Sequence, residues 1–171
     1  IASGGSVTCT FRLDISGLAS SGIAVADFSC TGTDILSYNY VTNDSRATNT
    51  DTFMIQRTAV ISITSVTVIS SIGIADTYST AQNGNTVTVV VKNNGEADLR
   101  VDSSKIVVAM LFNGVQYASD SFTFTLVSPV NDSRVIAGNA SETYTIRFNI
   151  LAPAGEGIWV ANASCTGIDQ N

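Results

Sequence analysis

The sequence predicts an all-β protein in which short strands form a sandwich, and three observations support this. Val, Ile and Thr are abundant, and no stretch places apolar residues at helical spacing. Gly, Asn and Ser interrupt the chain at short intervals, as expected where many turns join strands. Hydrophobic residues make up 44% of the 171 residues, which is enough for a folded core.

A sequence repeat organises the chain. Residues 1–34 align without a gap on residues 136–169, and 17 of these 34 positions are identical. The clearest match pairs VADFSCTGTD, which begins at Val25, with VANASCTGID, which begins at Val160. Identity at a fixed spacing is the signature of tandem modules. We therefore expect the end of one module followed by one complete module, with a period of 135 residues.

Both copies of the repeat predict a β-hairpin. In the first copy, Phe11, Leu13 and Ile15 alternate with polar residues, which is the period of a half-buried strand. A turn rich in Gly, Ala and Ser follows over residues 16–22, and a second strand is expected over 23–31. The second copy repeats the pattern, so we expect the same hairpin at the end of the complete module.

The repeat predicts three segments. Residues 1–34 are expected to be the last hairpin of a module that precedes them in the chain or that a neighbouring subunit completes. Residues 58–171 are expected to form the complete module. The polar segment 35–57 has two interpretations: an interdomain linker, or a strand-swapping segment that pairs with a sheet edge, its own or a neighbour's.

The complete module is expected to contain about seven strands at the spacing of a sandwich. Before the final hairpin, strands are predicted at residues 58–70, 86–93 and 105–112, and again after the pair Asn113-Gly114. That pair predicts a type I′ turn, because Asn and Gly tolerate positive φ. Loops are predicted over residues 94–104 and 128–142.

A family resemblance agrees with this interpretation. The stretches GNTVTVVVKNNGEADL (84–99), VVAMLFNG and AGNASETYTIRFNI resemble the CARDB-like, immunoglobulin-like modules of prokaryotic cell-surface proteins, either archaeal or bacterial. The resemblance implies an immunoglobulin-like β-sandwich in a secreted or surface-anchored array. The chain departs from the usual module in its greater length and in its cysteines.

Composition and charge argue against several function classes. The net charge is −6, and only 8 residues are Lys or Arg, so no basic track for nucleic acid is expected. No run of about 20 apolar residues predicts a membrane span. Charged residues make up only 13% of the chain, while Ser and Thr are abundant. This balance is common in secreted glycoproteins, so we expect an extracellular or cell-surface location.

Catalytic chemistry is also not expected. The chain has no His, the commonest general base, and no phosphate-binding or metal-binding motif. We therefore predict a protein that is not an enzyme and has no cofactor. Asp27, Asp34 and Asp169 lie near the ends of the predicted hairpins, where solvated surface is the expected role. A weak Ca²⁺ site at a module junction is left open.

Three cysteines carry separate predictions. Cys9 and Cys30 lie almost opposite each other in the first predicted hairpin, so we expect a cross-strand disulfide, with two buried free thiols as the alternative. Cys165 matches Cys30, but Tyr144 stands where the first copy has Cys9. Cys165 is therefore expected to be an unpaired thiol packed on Tyr144 or, alternatively, a link to another chain.

Four sites match the N-glycosylation acceptor motif: Asn43, Asn131, Asn139 and Asn162. A chain this rich in Ser and Thr acquires such motifs by chance. Their positions are more informative, because they lie in the linker, in the loop before the last hairpin, and on the outward face of its second strand. In a glycosylating organism we expect N-glycans on at least two of the four.

Two functions are compatible with these features. The first is a structural subunit of an extracellular filament, sheath or surface array, whose partner is another molecule of the same protein. A lone hairpin is marginal in water, so residues 1–34 need a partner sheet, and strand complementation would supply one. The second is an adhesin stalk or a carbohydrate-binding module. Few aromatic residues are candidates for stacking on sugars (Tyr78, Tyr117 and Trp159), so the structural role is favoured.

Overall fold

The computed structural model describes residues 1–44, 50–74, 77–116, 121–129 and 133–171. Within these residues it contains fourteen β-strands and no α-helix, so the predicted all-β class is confirmed. Every strand pairing is antiparallel. The chain divides into two compact units, Ile1–Gln56 and Arg57–Asn171, which we call the N-terminal and C-terminal units.

The N-terminal unit contains four short strands: β1 (Gly22–Ala26), β2 (Ser29–Thr33), β3 (Tyr40–Asp44) and β4 (Asp51–Ile55). They form two sheets of two strands, in which β1 pairs with β4 and β2 pairs with β3. The segment 35–57 therefore contributes strands to its own unit, which is one of the two alternatives considered for it.

The hairpin predicted for residues 1–34 does not form. No strand is found before β1, so the alternating stretch around Phe11 has no partner strand among the described residues. The second predicted strand exists as β1 and β2, but both pair with residues beyond position 39. The physical reason is that alternation predicts which face of a strand is apolar, and it does not specify the neighbouring strand.

The C-terminal unit contains the other ten strands of the described chain. They are β5 (Ile61–Ile69), β6 (Asn85–Asn93), β7 (Leu99–Asp102), β8 (Val107–Phe112), β9 (Val115–Gln116), β10 (Phe122–Ser128), β11 (Ser133–Ile136), β12 (Ser141–Ile150), β13 (Trp159–Ser164) and β14 (Gly167–Asp169). One sheet has the order β10-β12-β6-β5, and two smaller sheets have the orders β13-β8-β9 and β11-β7-β14.

Side chains from all three sheets meet in one core. Strand β6 alternates strictly, and Val87, Val89 and Val91 are completely buried. The same cluster contains Leu99 of β7 and Met110 of β8, together with the inward residues of β12. This arrangement is compatible with a β-sandwich, in which the inner faces of opposed sheets form the core.

Two predicted loops contain strands that pair with each other. Strand β7 lies within 94–104 and β11 lies within 128–142, and they pair with Leu99 opposite Ile136. The Asn113-Gly114 turn is confirmed, because Asn113 has φ 51° and Gly114 has φ 79°, the positive pair that a type I′ turn requires.

The hairpin predicted at the end of the module is also corrected. Strand β12 pairs with β6 and β10, whereas β13 pairs with β8 in a different sheet. The connection is tied back in two places: the Leu151 N–H donates to the Ser121 carbonyl at 2.9 Å, and the Ala154 N–H donates to the Leu151 carbonyl at 3.1 Å. The second copy therefore crosses from one sheet to another instead of folding back on itself.

The buried side-chain amide of Asn93 links the end of β6 to β11 and to the residues that precede β5. Asn93, at the end of β6, is 0% exposed. Its Nδ2 donates to the carbonyls of Ala97 (2.7 Å) and Ile136 (3.1 Å), and its Oδ1 accepts from the N–H groups of Gly95 (3.0 Å) and Val60 (3.2 Å). All four bonding positions of the amide are thus used. Gly95 is required beside it, because a Cβ there would lie 2.0 Å from the Thr58 carbonyl oxygen.

Candidate functional site

The two copies of the repeat lie in opposite environments. In the second copy, the inward positions of β12 are exposed by 4%, 2% and 8%: Ile146, Phe148 and Ile150. The equivalent positions of the first copy are exposed by 69%, 66% and 53%: Phe11, Leu13 and Ile15. The same apolar pattern is thus core in one unit and solvent-exposed surface in the other.

Two neighbouring strands and the side chains of the other sheets surround the second copy. On one side β12 pairs with β6, which places Ile146 opposite Val87. On its other side β12 pairs with β10, which places Phe148 opposite Phe124. Pairing on both sides satisfies the backbone of β12, and the core cluster, which includes Leu99 of β7 and Met110 of β8, covers its inward side chains. In the described part of the N-terminal unit, residues 7–15 have neither neighbour.

We call the side chains of Val7, Phe11, Leu13, Ile15 and Phe28 the apolar surface of the N-terminal unit. All five are at least 53% exposed. The rings of Phe11 and Phe28 stack with centroids 5.3 Å apart and planes 24° apart. The Phe11–Phe28 pair thus places two exposed rings together, and exposed apolar residues that lie together mark interaction surfaces more often than residues scattered singly. This surface is the candidate functional site of the N-terminal unit.

The cysteines of the first copy are also more exposed than the cysteine of the second copy. Cys9 and Cys30 are exposed free thiols, and Cys30 lies opposite Asn43 instead of opposite Cys9. The hairpin geometry that suggested their disulfide is therefore not observed, and the bond itself stays a prediction.

Cys165 and Tyr144, the equivalents of Cys30 and Cys9, belong to the core region of the C-terminal unit. Burial and the Glu142 carboxylate raise the pKa of Tyr144 to about 12, and Cys165 adds a smaller contribution in the same direction. Burial also raises the pKa of the Cys165 thiol. Cys165 is half-buried and packs against the core cluster that contains Tyr144. Both alternatives for Cys165, the packed thiol and the link to another chain, stay predictions.

Three of the four predicted glycosylation sites are described, and each is exposed: Asn43 in β3, Asn139 before β12 and Asn162 in β13. Asn131 lies outside the described residues. Asn139 has φ 63°, and its N–H donates to the Gly95 carbonyl at 3.0 Å, so its backbone is held in a tight turn. Exposure meets the steric requirement of glycan attachment at these three positions.

The aspartates at the ends of the repeat hold backbone groups. Asp169 accepts from the N–H groups of Ala59 (2.7 Å) and Asn171 (2.9 Å), which links β14 to the chain entering β5. Its equivalent Asp34 accepts from Leu36 and Ser37, both at 2.8 Å, and closes a turn within its own unit. Asp27 lies between β1 and β2. Among the described residues, no group of three or more Asp, Glu, Cys or His is placed to hold a metal ion.

A second candidate site is a cavity of about 790 Å³ in the C-terminal unit. Its lining includes Tyr78 and Trp159, two of the three aromatic residues singled out as sugar-stacking candidates, while Tyr117 lies outside the described residues. The Trp159 ring packs on Phe112 and on Phe122, each with centroids 4.9 Å away. Its Nε1–H donates to the Gly155 carbonyl at 3.0 Å. Trp159 therefore packs on other aromatic rings, as expected for a core residue.

Sequence reasoning did not find this cavity. Its walls come from residues 77–80 and 154–158, from strand ends, and from the inner faces of two sheets. No pattern in the sequence pointed to it, because these segments are distant from one another along the chain.

Comparison with known proteins yields no match. No protein-family model, no curated protein and no solved structure matches this chain. No helix in the described part of the chain is long and apolar enough to cross a membrane.

Proposed function

We propose that this protein is a structural subunit of an extracellular filament, sheath or surface array, built from immunoglobulin-like modules that repeat in tandem and join head to tail. The observation that carries the proposal is the opposite burial of the two copies of one segment. An apolar segment that is buried as a strand in one module and exposed in another is what a chain needs when neighbouring modules complete each other.

The energy available from such completion is substantial. Covering a large apolar side chain contributes about 1.5–3 kcal/mol. Phe11, Leu13 and Ile15 are all more than half exposed, whereas their equivalents belong to the core cluster of the C-terminal unit. A neighbouring module that provides a free sheet edge and an apolar core face would bury all three side chains.

Strand addition is the proposed mode of joining. Strands β5 and β10 form the edges of the four-stranded sheet, so a donated strand can pair there without displacing β12. The donated strand and the accepting edge are different surfaces of the molecule. A contact between unlike surfaces produces an open chain of subunits unless its rotation closes a ring.

The composition supports an extracellular place for this assembly. Low charge, abundant Ser and Thr, and three exposed acceptor asparagines are typical of a glycosylated surface protein. N-glycans on Asn43, Asn139 or Asn162 would be covalent additions, and the proposal includes no cofactor. An adhesin stalk or a carbohydrate-binding module is the alternative, and the packing of Trp159 against Phe112 and Phe122 makes a sugar platform there unfavourable.

The test compares two substitutions on neighbouring residues. Phe11→Asp places a charge on the apolar surface, whereas Thr10→Asp places the same charge beside it on an exposed residue of opposite parity. We expect sedimentation velocity to show concentration-dependent association of the full chain, its loss in Phe11→Asp and its retention in Thr10→Asp. A chain that stays monomeric at every concentration, or that loses association equally in both variants, would contradict the proposal.

A further inference from the structure

We propose that the cavity of the C-terminal unit is a binding site for a small amphiphile. The ligand would have an alkyl or aromatic body inside the cavity and an uncharged hydroxyl or a cationic group at its polar end. The site is separate from the apolar surface of the N-terminal unit, and the proposal does not depend on the proposed structural function.

The size and lining of the cavity define the body of the ligand. A volume of about 790 Å³ lies within the range of roughly 300–1,000 Å³ that is typical of ligand pockets. Five lining side chains are at most 8% exposed and apolar: Met110, Phe122, Phe148, Ile150 and Ala154. An apolar body placed against them would replace missing packing contacts without removing a hydrogen bond.

Hydrogen bonds within each wall of the cavity hold the two walls in place. On one side the Ser79 N–H donates to Gln82 Oε1 at 2.8 Å, and the Gln82 amide donates to Asn85 Oδ1 at 2.7 Å. On the other side, the Trp159 Nε1–H donates a hydrogen bond to the Gly155 carbonyl. Because each wall is anchored separately, the space between them does not require a ligand to form.

A glycine shapes the second wall. Gly157 has φ 149°, and a Cβ at this position would lie 2.4 Å from the Phe112 ring. The ring therefore packs directly on the backbone, which lets Phe112 reach Trp159. This arrangement occupies the Trp159 ring with protein contacts, so an inserted apolar body fits the site better than a sugar stacked on an open ring.

The polar lining defines the other end of the ligand. Thr77, Ser79 and Thr80 contribute hydroxyl groups, and Glu156 contributes the one acidic side chain among the described lining residues. All four residues are exposed. Hydroxyls and a carboxylate can bond an alcohol or an ammonium group, whereas a carboxylate ligand would be repelled by Glu156.

Trp159 provides the measurement, because it is the single Trp in the chain. The full chain is titrated with primary alkanols from hexanol to dodecanol, and Trp fluorescence is followed. We expect saturable binding whose affinity rises about fourfold for each added CH₂ until the cavity is filled. Decylammonium should bind more tightly than decanoate, and Glu156→Gln should remove most of that difference.

A matched pair of variants tests the location. Ala161 lines the cavity, whereas Val160 precedes it in β13 and is 54% exposed. Ala161→Leu should weaken decanol binding at least about tenfold, and Val160→Leu should not, since only the first side chain points towards the cavity. Calorimetric titration checks the result independently of Trp159. If Ala161→Leu does not fold, the Glu156→Gln comparison remains decisive. Absence of saturable binding, equal binding by both β13 variants, or preference for monosaccharides over alkanols would overturn the proposal.

Discussion

Residues 1–34 and 136–169 share half of their residues yet stand in two different structural situations. In the second copy, Phe148 is 2% exposed within a ten-residue strand, whereas in the first copy Leu13 is 66% exposed and belongs to no strand. The difference lies in the neighbours: β6 and β10 flank one copy, and no described strand flanks residues 7–15 of the other. The comparison shows that a strand is a property of the sheet around it as much as of its own residues.

The largest expected effect comes from truncating equivalent residues of the two copies. Phe148→Ala should destabilise the C-terminal unit by about 3–5 kcal/mol, because it leaves a cavity in a packed core. Leu13→Ala should change the stability of the unassembled chain by less than about 0.5 kcal/mol, because the side chain is already solvated. Scanning calorimetry of dilute protein measures both. Equal losses of stability would mean that Leu13 is also buried in solution. That result would contradict the difference in exposure between the two copies.

The next prediction concerns Asn93, whose side chain supports the end of β6. Asn93→Ala deletes an amide that holds β6 to the turn after it and to β11. We expect a loss of roughly 3 kcal/mol, since several buried backbone groups lose their partners. Asn94→Ala is the control, because its side chain bonds the Ser62 hydroxyl on an exposed surface. Urea denaturation followed by Trp159 fluorescence should separate the two variants clearly.

The reactivity of the three cysteines tests the same difference between the two copies. In the unassembled chain, Cys9 and Cys30 should react with a thiol reagent at least about tenfold faster than Cys165, whose burial raises its pKa. Stopped-flow labelling of single-cysteine variants measures each rate. Rapid labelling of Cys165 would show that the C-terminal core is open.

Placing the two cysteines of the first copy in the second copy tests whether this pair can form a disulfide in a packed unit. Tyr144→Cys gives the second copy the two cysteines of the first, in a unit where positions 144 and 165 share one core region. The substitution is made together with Cys9→Ser and Cys30→Ser, so that only one intramolecular disulfide can form. After mild oxidation, mass analysis without reduction should show the loss of two hydrogens. Failure to form the bond would mean that these positions are too far apart, and it would remove support for a Cys9–Cys30 bond in an assembled module.

The smallest expected effect concerns pH. Hydrogen bonds from the N–H groups of Asn171 and Ala59 lower the pKa of Asp169 below its ordinary value of 3.8. The stabilisation is therefore fully present above that ordinary value and is lost as the pH falls through the lowered pKa. Asp169→Asn should flatten the acid dependence of the C-terminal melting temperature, whereas Asp34→Asn should leave it unchanged. An identical acid dependence in all three proteins would contradict this role of Asp169.

Much of the fold could be predicted from local patterns. A strand was predicted over residues 86–93 and a tight turn at Asn113-Gly114, because both signals depend on the residues themselves. The exposed position of Asn162 also followed from simple alternation along β13.

The sequence by itself therefore determined the all-β class, the repeat and the apolar face of β12, since these depend on residue type and period. Only the tertiary structure decided that Leu99 lies opposite Ile136, that β12 and β13 belong to different sheets, and that loops distant in sequence enclose a cavity. Pairing between distant strands is selected by the packing of the whole core. For the same reason, equivalent residues are buried in one copy of the repeat and exposed in the other.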